Sequence, residues 1–70
     1  MLTRKQLLDG CERHKYLLVT HKFLGVVGLN TRFGKKRLLK IGEPDKPTDV
    51  VKFVPCSFAE YLRNKLPFIT

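Results

Sequence analysis

The fold is decided by residues 16–29, YLLVTHKFLGVVGL, a stretch rich in β-branched and aromatic side chains. Such residues favour extended strands. The polar pair His21-Lys22 divides the stretch. This arrangement predicts a tight antiparallel hairpin with strands over 16–20 and 23–29.

Two other interpretations of this stretch stay open. His21-Lys22 lacks the positive-φ residues that tight turns prefer, so one long bent strand would also fit. A first helix that extends through Val19 is the third interpretation. Gly25 and Gly28 indicate a bulge or a close backbone approach within the second strand.

Capping boxes predict the starts of two helices on either side of this apolar stretch. Thr3 precedes Gln6 by three residues, and Ser57 precedes Glu60 by the same spacing. In each pair the side chains satisfy backbone N–H groups that the first helical turn leaves free. Gly10 costs about 1 kcal/mol relative to alanine inside a helix, so the first helix is expected to end near residue 13.

The second of these helices has an apolar face at helical spacing. Its members are Phe58, Tyr61, Leu62 and Leu66. Pro67 is expected to end this helix, because proline cannot continue one. The apolar tail Phe68-Ile69-Thr70 could then fold back onto the core.

The segment between the hairpin and the last helix predicts two more strands. Residues 30–34 have the composition of a loop, and Lys36 to Ile41 alternates as a strand with Leu39 and Ile41 on one face. Residues 42–48, with two prolines, form the clearest break in the chain. Residues 49–54 follow as a strand with Val51 and Phe53 on one face.

These elements predict an α+β fold with the order α-β-β-β(-β)-α. A small antiparallel sheet of three or four strands would be flanked by an N-terminal and a C-terminal helix, both on one face. The length of 70 residues predicts a single domain over 1–70. So small a core leaves a thin stability margin, which a homodimer or another partner could increase.

The net charge of +8 is concentrated in one part of the chain. Residues 1–40 hold ten Lys and Arg against Asp9 and Glu12, whereas residues 41–70 hold four cations and four acids. This asymmetry favours a polyanionic partner. No apolar run has the length of a membrane span or a signal peptide, so we expect no membrane partner and a cytoplasmic location.

Neither metal binding nor catalysis has a clear motif. Cys11, His14, His21 and Cys56 have the ligand chemistry of zinc, but only the first two are closely spaced. No catalytic pair or phosphate-binding glycine loop is present, so we expect no enzyme activity and no cofactor. The two cysteines are expected to be reduced thiols that pack as small apolar groups.

The strongest functional signal is a basic cluster without an acid between Glu12 and Glu43. If residues 31–34 form a hairpin tip, the cluster would occupy that tip and the strand beyond it. Such cations neutralise several phosphates together and release counterions, and Phe33 could stack on a base. The predicted contacts are Arg32, Phe33, Lys35, Lys36, Arg37 and Lys40, joined by Lys22 and Lys15.

Two functions remain as hypotheses. The first is a regulatory or accessory module that binds nucleic acid, DNA or RNA, through this basic hairpin. The alternative is a small modulator, of the kind that phages and mobile elements encode, which docks on an acidic surface of another protein. Its contacts would be the same basic strand or the apolar C-terminal tail.

Overall fold

The computed structural model describes residues 1–40 and 42–66. It has the order α-β-β-α-β-α, and an antiparallel sheet in the strand order β2-β1-β3 confirms the α+β class. The elements are α1 (Arg4–Arg13), β1 (Tyr16–His21), β2 (Gly25–Asn30), α2 (Thr31–Leu39), β3 (Val50–Pro55) and α3 (Phe58–Asn64). The last helix ends at Asn64 and not at the predicted stop at Pro67, and Pro67 and the apolar tail 68–70 lie outside the described residues.

The predicted hairpin is confirmed, and β1 pairs with β2 over six residues. The imidazole of His21 stabilises the turn, because its Nδ1 accepts the backbone N–H groups of Phe23 and Leu24 at 3.1 and 3.2 Å. Gly25 supplies the positive φ, 75°, one residue after the turn. The long bent strand and the extension of the first helix through Val19 are therefore wrong.

The strand predicted from Lys36 to Ile41 is wrong, and so is the loop predicted before it. Residues 31–39 form α2, which begins where the Asn30 side chain accepts the N–H of Arg32 at 3.0 Å. Thr31, Gly34 and Leu38 are buried, at the spacing of one helical face. Lys36 and Lys40 are four residues apart, a spacing that fits a helix as well as a strand.

A β-bulge corrects the predicted faces of the last strand. Thr20 pairs with Lys52 and His21 pairs with Val50, so Val51 has no partner in β1. Because of this extra residue, Val50 joins Phe53 at the core, whereas Val51 is 46% exposed. The sequence had placed Val51 and Phe53 together.

The helices lie on both faces of the sheet, which corrects the prediction of one face. Leu17 and Val19 pack in the core with Leu38 of α2 and with residues of α1. Gly28 lies on the opposite face, where a Cβ atom would come 2.4 Å from the carbonyl oxygen of Tyr61 in α3. The sheet therefore separates α1 and α2 from α3.

Both predicted capping boxes are present. Thr3 Oγ1 accepts the N–H of Gln6 at 3.2 Å, and the Gln6 side chain accepts the N–H of Thr3. Ser57 Oγ accepts the N–H of Glu60 at 3.2 Å in the same way. The two reciprocal pairs fix the starts of α1 and α3.

We expect Ser57→Ala to destabilise the protein by about 1 kcal/mol, because the Glu60 N–H loses its acceptor. For a domain of this size the melting temperature should fall by about 4–8 °C. Ser57→Asp is the matched control, since aspartate also caps helices. Equal melting temperatures for the wild type and Ser57→Ala would contradict the cap.

Candidate nucleic-acid interface

The outer face of α2 carries most of the predicted basic cluster. Thr31, Gly34 and Leu38 face the protein interior. The cations on the other side of the helix are exposed, and we call them the α2 stripe: Arg32, Lys36, Arg37 and Lys40. Arg32, Lys36 and Lys40 succeed one another by about one turn, so about 6 Å separates each from the next along the axis.

The α2 stripe has no internal counterion among residues 1–40 and 42–66. None of its four side chains forms a salt bridge there, and the first turn of α2 has no acid. Arg32 lies near the positive end of the helix dipole, a placement that costs about 0.3–1 kcal/mol at an exposed site. An anion bound beside Arg32 would offset this cost.

The helix is held firmly beneath the stripe. Arg4 of α1 donates from Nε to the carbonyl oxygen of Leu38 at 2.7 Å, near the C-terminus of α2. At the other end, Thr31 donates from both its N–H and its Oγ1 to the carbonyl oxygen of Lys15. These contacts fix α2 at both ends, so its exposed cations project from a rigid element.

Phe33 lies on the exposed side of α2 rather than in the core. Its side chain is 47% exposed, and Lys36 Nζ lies 5.9 Å from the ring centroid. Leu39 is 63% exposed on the same helix. The stripe thus combines cations with exposed apolar side chains, a composition suited to a partner that is both anionic and partly apolar.

A concavity of about 720 Å³ opens beside the N-terminal half of α2. It brings together five of the eight predicted contacts, Lys15, Arg32, Phe33, Lys35 and Lys36. Lys15 lies in the α1–β1 connection, where its backbone carbonyl oxygen accepts both hydrogen bonds from Thr31 at the start of α2. The remaining lining residues are Tyr16, Asn30, Thr31 and Leu39.

The other three predicted contacts, Arg37, Lys40 and Lys22, do not line this concavity. Arg37 and Lys40 line a second, largely apolar cavity of about 630 Å³ that Lys46 also borders. Lys22 lies in the turn of the hairpin, where its Nζ is 5.2 Å from the Phe23 ring. The structure therefore places Lys22 outside the concavity beside α2.

Tyr16 and Asn30 also line the concavity, and the sequence did not predict either of them there. The Tyr16 ring stacks on Tyr61 of α3 with centroids 4.9 Å apart, and it packs against Phe58 at 5.3 Å. Asn30 accepts the N–H of Arg32 and thereby starts α2. The Asn30-Thr31 pair resembles a helix start in sequence, and that signal could have revealed α2.

The cysteines are separated and poorly suited to nucleophilic chemistry. Burial raises the pKa of the Cys11 thiol to about 11, although Lys35 opposes the shift. Burial, and secondly the charge of Glu60, also raise the pKa of Cys56. In the described part of the chain, no three His, Cys, Asp or Glu residues lie close enough to hold a metal ion.

No described helix is long and apolar enough to cross a membrane. Comparison with protein families, curated proteins and solved structures finds no match to this chain.

Proposed function

We propose that the protein binds nucleic acid through the α2 stripe and acts as a non-catalytic regulatory or accessory module. The observation that carries the proposal is the row of exposed cations Arg32, Lys36 and Lys40 at one-turn spacing, with Arg37 exposed beside it, and none of the four has a carboxylate partner in the described chain. Phosphates brought to such a row replace several condensed counterions at once, and the release of these ions drives binding.

The dimensions of the stripe suit a nucleic-acid backbone. Arg32 and Lys40 are eight residues apart, which corresponds to about 12 Å along a helix. The major groove of B-form DNA is about 12 Å wide and admits an α-helix, whose diameter with side chains is about 10–12 Å. Lysine and arginine contacts to phosphate give affinity without sequence preference, so the proposal concerns binding and not base recognition.

The charge distribution also favours binding of a polyanion on the α2 side of the sheet. The α2 stripe and α3 lie on opposite sides of the sheet, and residues 41–70, which include β3 and α3, carry no net charge. A polyanion is therefore attracted to one side of the molecule. Such one-sided potential steers an oppositely charged partner toward that side.

An acidic surface of another protein is the second candidate partner. Phe33 and Leu39 favour it, because both are exposed among the cations and protein interfaces have an apolar centre within a polar rim. The two candidates differ in how they respond to competition. Unrelated nucleic acid should displace a nucleic-acid partner and should leave a protein partner with an apolar centre bound.

Titration of a fluorescently labelled DNA duplex with the purified protein at low salt tests the proposal. We expect saturable binding that an excess of unlabelled duplex of unrelated sequence reverses. Absence of binding by the folded protein at low salt would refute the nucleic-acid function. The protein-docking candidate would then be preferred.

A further inference from the structure

We infer that the concavity beside α2 holds an unpaired nucleobase, so that the protein prefers single-stranded nucleic acid to duplex. This inference depends on the proposed nucleic-acid function and names its substrate class. The concavity differs from the rest of the α2 stripe because it brings four cations together with the exposed aromatic side chain of Phe33 and the amide of Asn30.

The lining has the chemistry of a nucleotide site. Lys15, Arg32, Lys35 and Lys36 supply four positive charges, and the lining has no carboxylate among the described residues. Asn30 uses its side-chain oxygen to accept the N–H of Arg32, which leaves the two N–H groups of its amide as donors for a base or a sugar. Single-strand sites combine such cations with an aromatic side chain on which a base stacks.

A duplex backbone does not require this concavity. Bases within a duplex cover each other's faces, whereas an unpaired base has a face free to stack on an aromatic side chain. The concavity has a volume of about 720 Å³ and is open to solvent, so a strand can pass across it while one base enters. A base with its sugar and phosphate can therefore be accommodated.

Phe33 is the aromatic residue placed for stacking. It is 47% exposed on the rigid α2 helix and offers a ring face on which a base can stack. Lys36 Nζ lies over the ring, 5.9 Å from its centroid, and supplies a cation for the adjoining phosphate. Tyr16 borders the concavity, and its ring is held on the α3 side of the sheet by Tyr61 and Phe58.

The test compares a labelled oligothymidylate of about 12 nucleotides, within the usual span of single-strand sites, with a duplex of the same length. We expect the wild type to bind the single strand more tightly. Phe33→Leu should lower single-strand affinity by about 5- to 150-fold, the range of base–aromatic stacking, and leave duplex affinity within about twofold. Phe33→Tyr keeps the ring and should retain single-strand affinity.

Phe23→Leu is the matched control. Phe23 is also an exposed phenylalanine beside a lysine, but it lies in the hairpin turn outside the concavity. The Phe23→Leu variant should change neither the single-strand affinity nor the duplex affinity. Equal affinities for single strand and duplex, or equal effects of Phe33→Leu on both, would overturn the inference and leave the proposed function intact. No binding to either probe would refute the proposed function itself.

Discussion

Reversing two charges of the α2 stripe, with Arg32→Glu and Lys36→Glu together, is expected to weaken nucleic-acid binding by at least about 100-fold at 0.1 M salt. Each lost phosphate contact removes about a factor of eight there, because each contributes about 0.9 to the logarithmic salt dependence. Two contacts account for roughly 60-fold, and repulsion between the new carboxylates and phosphate adds to the loss. Glutamate near the N-terminus of α2 should interact favourably with the helix dipole, so the variant should remain folded.

A matched variant separates the position of the charge from its amount. Lys52→Glu with Arg63→Glu lowers the net charge of +8 by the same four units. Both residues are exposed, on β3 and α3. This control should lose less than about tenfold in affinity, since it alters only the long-range field. Equal losses in the two variants would show that overall charge, and not the α2 stripe, governs binding.

Gly28→Ala should destabilise the protein by about 3 kcal/mol, the upper end of the usual cost of overpacking. The new Cβ would lie 2.4 Å from the carbonyl oxygen of Tyr61 and 3.1 Å from the backbone nitrogen of Lys65. Both atoms belong to backbone, so no side-chain rotation can relieve the contact and α3 must move. The total stability expected for 70 residues is only about 3.5–10 kcal/mol.

The two tyrosines of the chain report on this movement directly. Tyr16 and Tyr61 stack across the sheet–α3 contact, and the protein has no tryptophan, so near-ultraviolet circular dichroism follows this pair. Gly28→Ala should reduce that signal and lower the urea midpoint. Gly34→Ala is the control, because its nearest neighbours, Leu29 and Cys11, are side chains that can shift. A Gly28→Ala protein with native stability would contradict the close approach of α3.

Local signals correctly predicted where the first and last helices begin. The capping boxes at Thr3 and Ser57 each involve residues three positions apart, so the sequence contains all of their hydrogen bonds. The hairpin was also predictable, because its residue types favour strands and a polar pair divides them. Its turn was not, because the Nδ1 atom of His21 replaces the usual turn residues.

Apart from the N-cap signal at Asn30, the residues of the central segment do not distinguish a helix from a strand. Lysines and leucines from residue 36 onward fit either period, and the contacts that select a helix come from distant positions: the Lys15 carbonyl oxygen, Cys11 and Leu29. The bulge at Val51 likewise depends on register with β1. Tertiary contacts decided both local structures.

The candidate interface likewise has a part that local sequence predicts and a part that depends on distant contacts. The basic cluster is visible in composition, and Arg32, Lys35 and Lys36 indeed lie beside one concavity. The position of Tyr16 depends on α3, whose Tyr61 and Phe58 hold its ring from the far end of the chain. No pattern within the first 40 residues contains that information.

The salt dependence of binding tests the central claim most directly. Titrations of wild-type protein into labelled duplex DNA, repeated at several salt concentrations, give the slope of log K against log salt. If the four cations of the α2 stripe contact phosphates together, the slope should be about −3.6. A slope near zero, or no binding at low salt, would contradict a phosphate-binding stripe on α2.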